Sequence, residues 1–133
     1  GRRLKLKVND IMQPIEKVAV VSIDSDLRNV VIKMTECPQG AALVLNAKNE
    51  LSGIVTEGDL RRLLAQNIDI DSCTAKDIMS KNPITINMDS PITEVIVLME
   101  DRNSQISVLP VLNSDRACVG LIRIHDIYQT QLV

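Results

Sequence analysis

The 133-residue chain contains no phenylalanine and no tryptophan, and Tyr128 is its single aromatic residue. Proteins that grip single-stranded nucleic acid or sugars commonly do so by stacking on aromatic rings, and this chain has no such platform. It also lacks a surplus of positive charge. Fifteen Lys and Arg against seventeen Asp and Glu give a net charge of −2, whereas a phosphate-backbone binder shows a basic face. No nucleic-acid partner is expected. No apolar run approaches the roughly 18 to 20 residues of a bilayer crossing, and "GRRLKLKVND" is not the apolar stretch of a secretory signal. The expectation is a cytoplasmic protein without a membrane partner. Cys37, Cys73 and Cys118 are odd in number and form no C-x-x-C pair. That disfavours a disulfide framework or a zinc site, and buried free thiols are expected.

What is present is a core and a repeat. Hydrophobic residues make up 45% of the chain, enough for one domain or for two small half-domains sharing a core. "NDIM" at 9–12 returns as "KDIM" at 76–79, and "LRNVVIKM" at 27–34 matches "ITEVIVLM" at 92–99. "LVLNAKNELSGIVTEGDL" at 43–60 matches "PVLNSDRACVGLIRIHDI" at 110–127. A period near 66 is too long for a solenoid unit and indicates two copies of one supersecondary unit packed together.

Each copy has the same anatomy. A short DIM turn, capped by Asp10 or Asp77, leads to an extended run, Val18–Ile23 or Ile84–Met88. A helix follows, with Leu27, Val30, Val31 and Met34 at i, i+3, i+4 and i+7 in the first copy. Ile92, Val95, Ile96 and Met99 repeat the spacing in the second, where Ser90 is the expected N-cap and Pro91 the first helical residue. Hairpins turn at "AKNE" and "NSDRA". Gly53 and Gly120 occupy equivalent places in the returning strands, suited to a bulge or a close backbone approach. A last helix carries Leu60, Leu63 and Leu64 in the first copy and starts near Asp126 in the second. The fold class is therefore α/β, of the α+β kind, with two β-α-β-β-α units related by pseudo-twofold symmetry. About 60 residues alone bury too little surface to be comfortable, which gives the pairing a physical reason. Met12, Met79, Met34 and Met99 are expected to fill the core.

The stretch "IVTEGDLRRLL" at 54–64 carries the most chemistry. Thr56, Glu57, Gly58 and Asp59 join a strand to a helix. The start of a helix exposes unpaired N–H groups and the positive end of a dipole, which favours anions. The Thr56 hydroxyl can hydrogen-bond phosphate, and Asp59 can either cap the helix or accept hydrogen bonds from two ribose hydroxyls. Arg61 and Arg62 are either a solvated face or a phosphate contact. In the second copy Arg123 replaces the hydroxyl residue while Asp126 keeps the acidic position. Arg123 either binds an anion in a forked geometry or fills an unused cleft. His125 is the only histidine; it has no second metal ligand nearby and is expected at the helix start, in a hydrogen bond or a ligand contact. The four cations Arg2, Arg3, Lys5 and Lys7 are expected to belong to a solvated linker. No catalytic constellation and no metal set is present.

The ordered set "DIM", "NPITI" at 82–86, "GIVTEGDL" and "GLIRIHDI", over nearly the whole chain, resembles a CBS-domain pair, or Bateman module. "GRRLKLKVNDIM", "VTEGDLRR" and "DIMSKNPITI" further resemble the C-terminal region of bacterial arabinose-5-phosphate isomerases, which join a sugar-phosphate isomerase (SIS) domain to a CBS pair. The resemblance implies a linker at 1–7, repeats at 8–66 and 75–133, and a connector at 67–74. It implies an SIS catalytic domain preceding residue 1 in the same chain, supplying a lipopolysaccharide or capsule sugar. It assigns ligand roles to Thr56 and Asp59. It also has the strand Pro83–Ile86, with Thr85 and Ile86, help to line an inter-repeat cleft. Ala42 stands where those isomerases tend to carry a polar residue. No cofactor is required; the bound molecule would be AMP, ADP, ATP, S-adenosylmethionine or a CMP-sugar. Homodimerisation through the CBS helices, within a tetrameric parent, is implied as well. A regulatory sensor and a ligand-free oligomerisation scaffold both remain open, and an independent enzyme lacks a supporting motif.

Overall fold

The computed structural model describes residues 5–101 and 106–130; Arg2 and Arg3 of the expected linker lie outside them. The chain divides into two compact units, one spanning Ile15–Pro83 and the other combining the residues up to Pro14 with those from Ile84 onward. Each unit has a four-stranded sheet.

In the unit 15–83, strand β2 (Ala19–Val21) runs parallel to β3 (Ala41–Leu45) through helix α2 (Leu27–Glu36). The hairpin partner β4 (Leu51–Thr56) follows, then helix α3 (Glu57–Leu64). Across the other boundary, β6 (Ile86–Asn87), α5 (Ile92–Glu100), β7 (Val108–Leu112), β8 (Cys118–Arg123) and α6 (Ile124–Gln129) repeat that sequence of elements. Local chemistry explains the hairpins. The Asn46 side chain accepts the N–H groups of Lys48 and Glu50, and Asn113 does the same for Asp115 and Ala117. Asn49 and Arg116 then take the left-handed conformation that closes each turn.

The fourth strand of each sheet comes from the other end of the repeat pattern. Helix α1 (Val8–Ile11) and strand β1 (Gln13–Pro14) precede the first repeat's sheet elements, yet β1 pairs with β8. Helix α4 (Ala75–Ile78) and strand β5 (Ser80–Lys81) precede the second repeat's, yet β5 pairs with β4. The strand orders are thus β2-β3-β4-β5 and β1-β8-β7-β6. Matching backbone hydrogen bonds dock the two DIM helices. Val8 N–H donates to Ser90 O and Asn9 N–H to Met88 O, while Ala75 N–H donates to Ser25 O and Lys76 N–H to Ile23 O. Val8 and Ala75, each the first residue of its helix, are fully buried. As read from the sequence, Asp10 and Asp77 cap these turns by accepting the N–H of Lys7 and Thr74.

The glycines explain how β1 and β5 approach. A Cβ on Gly120 would lie within contact-forbidding distance of the Gln13 carbonyl, and one on Gly53 would fall 2.6 Å from the Met79 sulfur and 2.8 Å from the Ser80 carbonyl. Register irregularities lie beside the same glycines, between Val44 and Leu45 and between Val111 and Leu112. Gly120→Ala is expected to lower stability by about 1–3 kcal/mol through overpacking against backbone. Chemical denaturation checks this, with faster amide exchange at Leu121 marking displacement of β1; unchanged exchange would refute it.

Three expectations need correction. Val31 is exposed rather than buried, because it stands about 70° from the centre of the Leu27, Val30, Met34 stripe at 100° per residue. Ser90 is not the N-cap: Pro91 occupies that position and α5 begins at Ile92. Only Cys118 is buried, while Cys37 and Cys73 are half-exposed at element ends. Met34 and Met99 do fill the two cores, and Met12 and Met79 pack against them.

Candidate functional site

The candidate residues fall in two groups. Thr56, Glu57, Gly58, Asp59 and Arg61 sit at the β4–α3 corner of one unit. Arg123, His125 and Asp126 sit at the β8–α6 corner of the other, which also holds Thr85 and Ile86.

At the first corner Thr56 is both the last residue of β4 and the N-cap of α3. Its Oγ1 accepts the Asp59 N–H at 3.3 Å, and Asp59 Oδ2 accepts the Thr56 N–H at 2.8 Å and hydroxyl at 3.0 Å. This reciprocal arrangement satisfies two groups that a helix start otherwise leaves orphaned. Asp59 is therefore a cap, as one of the two sequence readings had it. Its Oδ1 accepts a hydrogen bond from Arg62 Nη2 at 2.7 Å. Arg62 keeps 71% of its side chain exposed and Asp59 11%. Gly58 makes room for that return: a Cβ there would lie 3.3 Å from Arg62 Nη1. Glu57 and Arg61 are exposed.

At the second corner Arg123 is the N-cap residue of α6 and Asp126 its third helical residue. The expected start near Asp126 thus moves back to Ile124. Asp126 Oδ2 accepts the Arg123 N–H at 3.0 Å and Nε–H at 3.2 Å, while Oδ1 accepts Arg123 Nη2 at 2.7 Å. Gln13, in β1, donates its amide to Oδ1 at 2.9 Å. Asp126 is 5% exposed and the Arg123 side chain 20%. His125 lies exposed on α6, 3.3 Å from the Gln129 amide. Ile86 belongs to the buried core of this unit with Ile122 and Ile127, and Thr85 is half-buried.

Burial by itself raises the Asp126 carboxyl. Hydrogen bonds from the Arg123 side chain, Gln13 and the Arg123 backbone, with the Arg123 charge, outweigh it and hold the group below the usual carboxylate range. A depressed folded-state value stabilises the fold above the unfolded value of about 3.9, and that contribution is lost as pH falls through the folded value. The melting-temperature gap between the native chain and Asp126→Asn is therefore expected to be full at pH 6 and to close in acid below pH 4. A gap that persists unchanged into acid would contradict the assignment.

Sequence reasoning missed Gln13 altogether. Its counterpart by repeat is Ser80, and nothing in its spacing announces a contact 113 residues away. It also left Arg62 as solvated face or phosphate contact, when its guanidinium holds Asp59; the i,i+3 spacing was the available signal. Ala42 is fully buried beneath α2 with Val30 and Val44. The Cys118 thiol is pushed up by burial, with Gly120 and Val111 backbone contacts opposing, so it is no activated nucleophile. Among the described residues no cluster of three His, Cys, Asp or Glu is arranged to hold a metal, and no helix is long and apolar enough to cross a membrane. Within the unit 15–83, an apolar groove of about 540 Å³ runs between α2 and α3, lined by Leu27, Val31, Ile32, Leu60, Leu63 and Leu64.

The CBS domain profile matches residues 8–66 and again 75–132, so the chain belongs to the CBS domain family and carries the domain twice. It is similar to arabinose 5-phosphate isomerase KpsF of Escherichia coli, 36% identical over 126 residues, covering 95% of this chain and 37% of that protein. Arabinose 5-phosphate isomerase KdsD of Pseudomonas aeruginosa is 35% identical over 127 residues, with 96% and 38% covered. The chain thus spans little more than a third of the length of these relatives. The CBS domain pair of protein MJ0100, in complex with 5′-methylthioadenosine and S-adenosyl-L-methionine, has a TM-score of 0.82 at 25% identity, with 95% of both chains covered. CBSX2 in complex with AMP also reaches 0.82, at 17% identity over 95% of this chain and 96% of that one, a likeness of fold alone.

Proposed function

We propose that this CBS pair is a regulatory module of an arabinose-5-phosphate isomerase-like enzyme of the cytoplasm. It senses an adenosyl nucleotide or a sugar nucleotide at the Thr56–Asp59 corner and biases an attached SIS catalytic domain. One observation carries the reading. Asp59 stands at the start of α3 with Oδ1 held by a single donor, the exposed Arg62, so a ribose hydroxyl can take that place while Arg62 turns to a phosphate. The isomerase relatives and the nucleotide complexes of similar pairs support it. Regulation requires that the ligand bind two arrangements of the assembly with different affinity.

Melting the chain with AMP, ADP, ATP, S-adenosylmethionine and CMP-3-deoxy-octulosonate tests the idea. A ligand at 100 times its dissociation constant is expected to stabilise by about 2.7 kcal/mol. Asp59→Ala is expected to abolish that shift. The absence of a shift with all five leaves the second reading, a scaffold that oligomerises through its helices, which the apolar groove between α2 and α3 favours.

A further inference from the structure

Resting on that reading, we infer that the two corners are not equivalent sites: each chain takes one ligand, at Thr56–Asp59, and the Arg123–Asp126–Gln13 cluster is a clasp that fixes β1. The two carboxylates differ in how many of their acceptor positions are filled. A carboxylate offers about four lone-pair positions. At Asp126 four donors occupy them: Arg123 N–H and Nε–H on Oδ2, Arg123 Nη2 and Gln13 Nε2 on Oδ1. At Asp59 three donors are in place, two from Thr56 and one from Arg62.

The exposures point the same way. Arg62 reaches Asp59 from the solvent side and is 71% exposed, so its ion pair is weak and exchangeable. Arg123 arrives from the end of β8, is 20% exposed and grips Asp126 by two guanidinium nitrogens. A ribose hydroxyl at Asp126 would have to displace a forked, desolvated guanidinium and leave it unpaired. Gln13 gives the closed corner a task. Its backbone belongs to β1, in register with Leu121, and its side chain ties that strand to α6. The exchanged N-terminal segment is thereby pinned at the place where a second ligand would otherwise sit.

Isothermal titration of the chain with AMP, and separately with S-adenosylmethionine, reads the stoichiometry. One site per chain is expected. Asp59→Asn is expected to weaken binding at least tenfold; Asp126→Asn is expected to leave the affinity within twofold while lowering the melting temperature. Gln13→Ala, a milder change, is expected to do the same should Asp126→Asn fail to fold. Two sites per chain, or a binding loss in Gln13→Ala matching that in Asp59→Asn, overturns the inference and leaves the sensor reading standing. A Gln13→Ala melting temperature equal to the native one removes the clasp. No binding of AMP, of S-adenosylmethionine or of any of the three other molecules named for the melting test sinks both.

Discussion

Cutting the chain between Gln66 and Asn67 is expected to leave neither half able to fold as a monomer. The cut falls between the two repeats, where a modular protein would tolerate it. Here residues 1–66 lack α4 and β5, and residues 67–133 lack α1 and β1. The first half loses buried Ala75, the hydrogen bonds from Ala75 and Lys76 to the Ser25 and Ile23 carbonyls, and the β4 partner strand. The second loses buried Val8, its bonds to Ser90 and Met88, and the partner of β8. A fully buried Val is worth about 1.5–3 kcal/mol and each backbone hydrogen bond about 0.5–1.5 net. For the second half the sum is on the order of 5 kcal/mol before the lost strand pairing, and for the first, which loses Ala75 in place of a Val, somewhat less. Both are comparable with the lower end of a domain's whole stability. Size-exclusion chromatography and circular dichroism of each half check this; a folded monomer from either one would refute it.

The second large effect is expected from Arg123→Ala. It strands the Asp126 carboxylate, whose burial alone pushes its ionisation up. Removing one partner of a buried pair costs about 3–5 kcal/mol, and the part-exposed Arg123 places this case near the lower figure. At about 4 °C per kcal/mol the melting temperature falls by roughly 10 °C. Arg62→Ala, which breaks the matching contact at the other corner, is expected to cost less than about 1 kcal/mol because that pair faces water. Equal losses from the two substitutions would show that burial does not separate the corners.

The contrast between those two arginines marks where sequence reading succeeds. The duplicated helices, the hairpins and the Asp10 and Asp77 caps are local, set by residues three to seven apart, and the chain states them twice. The exchange of α1–β1 and α4–β5 is not local. "NDIMQP" and "KDIMSK" carry nearly the same apolar pattern, so neither announces which sheet it completes. Thr56 and Asp59 were legible as a strand-to-helix corner because a hydroxyl three residues before a carboxylate is itself a capping signal. Arg123 was legible as a departure from that pattern, but its grip on the buried Asp126, shared with Gln13, was not, because Gln13 comes from the far end of the sequence.

The reciprocal exchange of DIM segments also constrains descent. A protein with a single copy of this unit could complete its sheet only with a segment borrowed from a sister molecule, and its survival would depend on concentration. Two copies joined in one chain supply the donor at a fixed tether length, so the partnership does not weaken on dilution. Recombination between the copies would then be purged unless it kept both donors, and the pair would be inherited as one indivisible piece.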